Sequence, residues 1–135
     1  MPISLIRRAL PALAAAALLG ACDSGSGPSD PVPGQLVVRV KTPNPDRALV
    51  VQVSGPGPIT AVEPAAAGGA VYGTAGGSSV RVAAFGAFSG ESAVLRITVP
   101  DVTRVGSYSA QVTEAADAGN QLRAALGGYS ASVSR

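Results

Sequence analysis

The feature that most narrows what this chain can fold into is alternation. Apolar side chains recur at every second residue, in short runs separated by turn-forming residues. Leu36, Val38 and Val40 alternate with Val37, Arg39 and Lys41, and Leu49, Val51 and Val53 share one face of 48–54. Val80, Val82 and Ala84 stand opposite Arg81, Ala83 and Phe85, and Leu95, Ile97 and Val99 stand opposite Arg96 and Thr98 in 92–99. A repeat of two belongs to a half-buried strand, whose side chains point to opposite faces in turn. Tyr108, Ala110 and Val112 continue the pattern in 108–114, as do Tyr129, Ala131 and Val133 in 129–134; 59–63 and 71–72 read as further short strands. Pro43-Asn44-Pro45-Asp46 predicts a turn, because Pro presets φ and Asn and Asp close local hydrogen bonds. Gly55-Pro56-Gly57-Pro58 breaks the second strand and Pro100-Asp101 ends the one at 92–99, while 64–69 and 73–77 read as small-residue loops. Six to eight such strands at about ten-residue spacing predict an all-β domain, a sandwich or a barrel. Helix is expected only as one turn at 120–126, with Leu122 and Leu126 on one face.

Composition sets the scale. Of the 135 residues 47% are hydrophobic and 13% charged, with 17 Gly, 11 Pro, one Cys, and no His or Trp. Scarce charge with abundant Gly and Pro excludes a long coiled coil. The roughly hundred residues from Gln35 onward suffice for one modest core. With no imidazole, the commonest catalytic base and metal ligand is missing.

The start of the chain has a different character. Arg7 and Arg8 precede an apolar stretch at 9–19 that is too short to span a bilayer, which takes roughly 17–25 residues. A basic start, a short apolar run and small residues at its end read as a secretory signal. Leu19-Gly20-Ala21-Cys22 then resembles the bacterial lipobox. That resemblance implies cleavage before Cys22 and attachment of lipid to its thiol, with two or more acyl chains giving stable anchoring. Residues 1–21 are thus expected to be a lipoprotein signal peptide, 22–34 a lipidated cysteine and flexible tether, and 35–135 the folded domain. The Gly-, Ser- and Pro-rich tether would reach roughly 20 Å. The chain carries 10 basic and 8 acidic residues, so losing Arg7 and Arg8 leaves 8 of each and a net charge of zero. No basic footprint for nucleic acid remains. Export to a membrane, at the periplasm or cell surface, is the expected location.

The closing region resembles the cohesin family, β-sandwich modules that receive dockerins. Val112-Thr113-Glu114-Ala115-Ala116-Asp117-Ala118-Gly119-Asn120 runs through Leu122 and Leu126 to Gly128-Tyr129-Ser130-Ala131-Ser132-Val133, a strand, an Asp/Gly/Asn loop and a closing strand. The resemblance implies a single small sandwich, cohesin-like, jelly-roll or immunoglobulin-like, and a protein partner; it carries no contact residues to this chain.

Catalysis finds little support. No His is present to activate Ser78, Ser79, Ser89 or Ser92, and Lys41, the sole lysine, lies on the polar face beside Arg39. The acids Asp23, Asp30, Asp46, Glu63, Glu91, Asp101, Glu114 and Asp117 fall mostly in turns. Asp117-Ala118-Gly119-Asn120 offers too few oxygens for calcium and reads as an Asx turn. No cofactor and no catalytic residue is therefore expected. Among the aromatics, Tyr108 and Tyr129 align with core positions, whereas Phe88, in a small-residue loop between two strands, is the candidate exposed contact. The expected function is protein binding or scaffolding at the envelope; the alternative is a carbohydrate-binding sandwich holding glycan through Phe88 or a tyrosine.

Overall fold

The structure, a computed structural model, describes residues 29–135. Six strands form one antiparallel sheet: β1 (Gly34–Ser54), β2 (Ala61–Pro64), β3 (Ala70–Gly73), β4 (Ser79–Val99), β5 (Ser109–Ala116) and β6 (Ser130–Ser134). The two long strands organise it. The first part of β1 pairs with the last part of β4, from Gly34↔Val99 to Thr42↔Gly90, and the rest of β1 pairs with the first part of β4, from Ala48↔Phe85 to Ser54↔Ser79. β6 and β2 flank the first half, and β5 and β3 flank the second. Inward residues of both halves, among them Leu36, Val38, Val40, Leu49, Val51, Val53, Val82, Leu95 and Ile97, belong to one buried cluster. The sheet is therefore bent across its middle into a two-layered sandwich, and the all-β expectation holds.

The bend corrects one reading. Pro43-Asn44-Pro45-Asp46 does not reverse the chain; it kinks one continuous strand. The register shifts between Thr42 and Asp46 and again between Asp46 and Ala48, so the two prolines sit where the ladder needs no donor from them. The shift also changes parity, from buried Val38, Val40 and Thr42 to buried Leu49, Val51 and Val53. β4 makes the same change with a bulge. Val38 faces Leu95 while Arg39 faces Ala93, so Val94 is the extra residue, and Val94 and Leu95 are both buried. Residues 79–85 and 92–99, which read as two strands with a loop between, are thus one.

The N-terminal end of the sandwich is closed by apolar groups. Asp101 caps a 3-10 helix, Val102–Ser107, by accepting from the Thr103 N–H (3.0 Å). Ile59, Val102 and Tyr108 are buried there, and a Cβ on Gly55 would clash with Cδ1 and Cε1 of the Tyr108 ring. The chain is already ordered before Gln35. Val32 accepts from the Val102 N–H (2.8 Å) and donates to Asp101 Oδ1 (3.3 Å), and Gly34 opens β1. The Val32 peptide groups, between Pro31 and Pro33, thus find partners at the helix cap. The helical turn expected at 120–126 is not formed; that stretch is irregular, with Leu122 exposed and Leu126 packed on the core. Among the described residues, no helix is long and apolar enough to cross a membrane.

Candidate functional site

Phe88, the candidate exposed contact, is buried. Continuity of β4 through the bend places it opposite Asp46, and its ring packs beneath Gly86, whose Cβ would lie 3.3 Å from Phe88 Cζ. Tyr108 and Tyr129 take the core and near-core positions expected of them. Cys22, Leu19, Gly20 and Ala21 lie outside the described residues.

The aromatics that do face out are Tyr72 and Phe85, 67% and 45% exposed. Their positions follow from the alternation. With Val80, Val82 and Ala84 inward, Arg81, Ala83 and Phe85 must point away from the core, and pairing of Tyr72 with Ala83 sets Tyr72 on the same face. The two rings meet edge to face at 5.8 Å and 71°. From Phe85 the outer face continues across Ala48 to Ala116, which bridges to Leu122, itself 69% exposed. Ala48, Val50, Ala83, Phe85, Ala116 and Leu122 line a shallow groove of about 160 Å³. Farther from the bend the same face turns polar. Arg81 and Glu114 form an exposed ion pair at 3.1 Å, and Gln52 and Ser54 each hydrogen-bond to the Ser79 hydroxyl. The outcome is an apolar strip at the bend end, bordered by a polar half of the same sheet.

Beside the strip lies a polar cluster that the sequence reading missed. The Asp46 side chain is wholly buried. Arg123 Nε donates to its Oδ1 (2.9 Å), Tyr129 OH donates to its Oδ2 (2.5 Å), and Arg123 NH2 donates to Pro45 O (3.1 Å). The Asp46 hydrogen bond raises the Arg123 guanidinium above its ordinary value. Burial first, then the bond to Asp46, raises the Tyr129 phenol. Both carboxylate oxygens are occupied, so the cluster is a clasp that ties the β5–β6 loop onto the kink of β1 rather than an acid–base site. Residue type alone did not betray it, since Asp46 read as a turn former and its partners lie 77 and 83 residues away.

The other acids have local roles. Asp117 Oδ1 accepts from the Gly119 and Gln121 N–H groups, at 2.8 and 3.0 Å, which holds its pKa below the ordinary value, the Gln121 bond contributing most. This is the Asx turn expected there. Asp101 is lowered mainly by the Thr103 hydroxyl, at 2.6 Å. Lys41 and Arg39 are both exposed on β1, as expected. Among the described residues no three acids, cysteines or histidines gather where a metal could be held.

Comparison of the chain with protein-family models, with curated proteins and with solved structures found no match. The outer-face strip is therefore the candidate site on its geometry alone.

Proposed function

We propose that this protein is an exported, lipid-anchored binding module, held to a membrane through Cys22, that docks a protein partner on the outer face of the β3–β4–β1–β5 half. The observation that carries this reading is the apolar strip: among the described residues, three of the four exposed large hydrophobic side chains, Tyr72, Phe85 and Leu122, fall on one face at one end. Aromatic anchors ringed by polar groups are the composition of protein-binding surfaces. The strip also lies at the end remote from residues 32–34. The first half of β1 separates the two by on the order of 25 Å, so a chain fixed through its N-terminus turns the strip outward.

Two measurements test this. Metabolic lipid labelling is expected to be lost in Cys22→Ala; unchanged labelling overturns the anchor. A photo-crosslinking residue at Leu122 is expected to give one protein adduct in cells, lost in Phe85→Ala, with none from the same residue at Thr103. Equal adducts from both positions, or none, overturn the docking face. The glycan reading passes from Phe88 to Tyr72 and Phe85, favoured by the open ring of Tyr72; an adduct resistant to protease and sensitive to glycosidase would select it.

A further inference from the structure

A second concavity lies on the other side of Phe85. Between its pairing with β3 and with β2, the edge of β4 has no strand partner over 86–93, and the β2–β3 loop bridges the gap, held where the Ala65 N–H donates to Val94 O (3.1 Å). Beneath the loop is a cleft of about 360 Å³, within the range of small-molecule sites. Small residues keep it open: five consecutive Ala and Gly residues, 66–70, on one wall and Gly86 and Ala87 on the other. A Cβ on Gly69 would come within 3.2 Å of the Ala66 carbonyl.

Two polar side chains lining this cleft, Ser92 and Arg47, make no hydrogen bond or ion pair among the described residues. Ser92 Oγ is buried and, among the described residues, is the buried side-chain oxygen or nitrogen that makes no hydrogen bond. Buried hydroxyls are ordinarily satisfied, and one that is not invites a bound group. Ser92 opposes Val40 and so shares its inward face, toward Phe88 and Val94. Arg47 is exposed, lines the cleft and makes no ion pair among the described residues, and no acidic residue lines the cleft. The other side chains of the lining are apolar.

We propose that this cleft binds a small carboxylate carried on a short apolar body. Arg47 takes the charge, the Ser92 hydroxyl donates to an oxygen of the ligand, and methyl-sized groups lie against Phe88 and Val94. The C-terminus of a peptide and a free short-chain acid present this chemistry alike. The proposal is independent of the outer-face docking, because neither Arg47 nor Ser92 lines the strip.

The test uses the full chain, ¹⁵N-labelled and held in detergent micelles, titrated with acetyl-alanyl-alanine, with its C-terminal amide, and with butyrate. Saturable shifts at the amides of Gly68, Gly69, Gly86 and Ala93 are expected with acetyl-alanyl-alanine, and binding of the amide is expected to be at least about tenfold weaker. Arg47→Gln should weaken the acid by about tenfold and Ser92→Ala by severalfold, with neither lowering the unfolding midpoint. Butyrate binding at equal affinity assigns the site to free acids; binding of the acetyl dipeptide alone assigns it to peptide termini. Equal affinity for acid and amide, or no saturable shift with either carboxylate, overturns the proposal.

Discussion

At the N-terminal end of the sandwich, Ile59, Val102 and Tyr108 close the core with apolar side chains, whereas at the bend Phe88 shares the closing with a buried carboxylate, a guanidinium and a phenol. Strands terminate at the first end, so a short helix and a loop can drop apolar groups over the opening. At the second end two strands run through without stopping. Their kinks interrupt the register, and the β5–β6 loop that covers them sets Leu126 and Tyr129, both only partly buried, against the core. An ion pair with defined geometry fastens that loop where hydrophobic area is short. The cleft and the exposed strip are also at this end, so both proposed binding surfaces lie beside the clasp.

The largest expected effect breaks the bend end. Asp46→Ala removes the acceptor shared by Arg123 and Tyr129 and should cost about 2–4 kcal/mol in urea unfolding, with the Arg123 side chain, 27% exposed, free to turn to water. Loss of under 1 kcal/mol would mean the clasp is ornamental. Gly55→Ala attacks the other end by pushing against the Tyr108 ring, and should cost about 1–3 kcal/mol while leaving the NMR shifts of Arg123 and Tyr129 unchanged.

Alkali should separate the ends more gently. Tyr108 and Tyr129, one at each end, both have raised pKa values, in each case chiefly through burial. A raised folded value contributes stability below the unfolded value of about 10, lost as pH rises through the folded one. Ionising Tyr129 also sets an anion against Asp46, so amide exchange is expected to quicken at Arg123 before it does at Val105. In acid the sign reverses. The lowered values of Asp101 and Asp117 contribute stability above the ordinary carboxylate value of about 3.9, lost as pH falls through the folded ones. Asp101→Asn should flatten that acid limb, read by urea midpoints across pH. The smallest effect belongs to the strip. Tyr72→Ser, at an exposed ring of the strip, should change stability by no more than about 0.5 kcal/mol, while abolishing any partner adduct formed from position 122.

How legible this was in the sequence follows from which forces act locally. Alternation is local, so Leu36, Val38, Val40, Leu95, Ile97 and Val133 were placed correctly. Strand continuity is not. Pro43 and Pro45 carry the same local signature in a turn and in a kinked strand, and only pairing of Asp46 with Phe88 across the sandwich decides between them. That one decision buried Phe88 and made Asp46 available to Arg123. The Tyr72–Phe85 pair was half legible: the outward face of Phe85 could be read from 80–85, but the register that brings Tyr72 beside it could not. The 3-10 helix after Asp101 had a readable cap, with Thr103 two residues on, hidden in a segment that otherwise looked like the end of a strand.

The continuity of β1 has a mechanical consequence. Its first half lies between β4 and β6 and its second half between β4 and β5. A pull applied ahead of Gly34 and resisted at the bend end runs along the strand axis, so the flanking ladders are loaded in shear and many hydrogen bonds must yield together. Peeling, which breaks them one at a time, is open only to the short edge strands. A domain built this way can carry tension from one end to the other through its central strand without first giving up its fold.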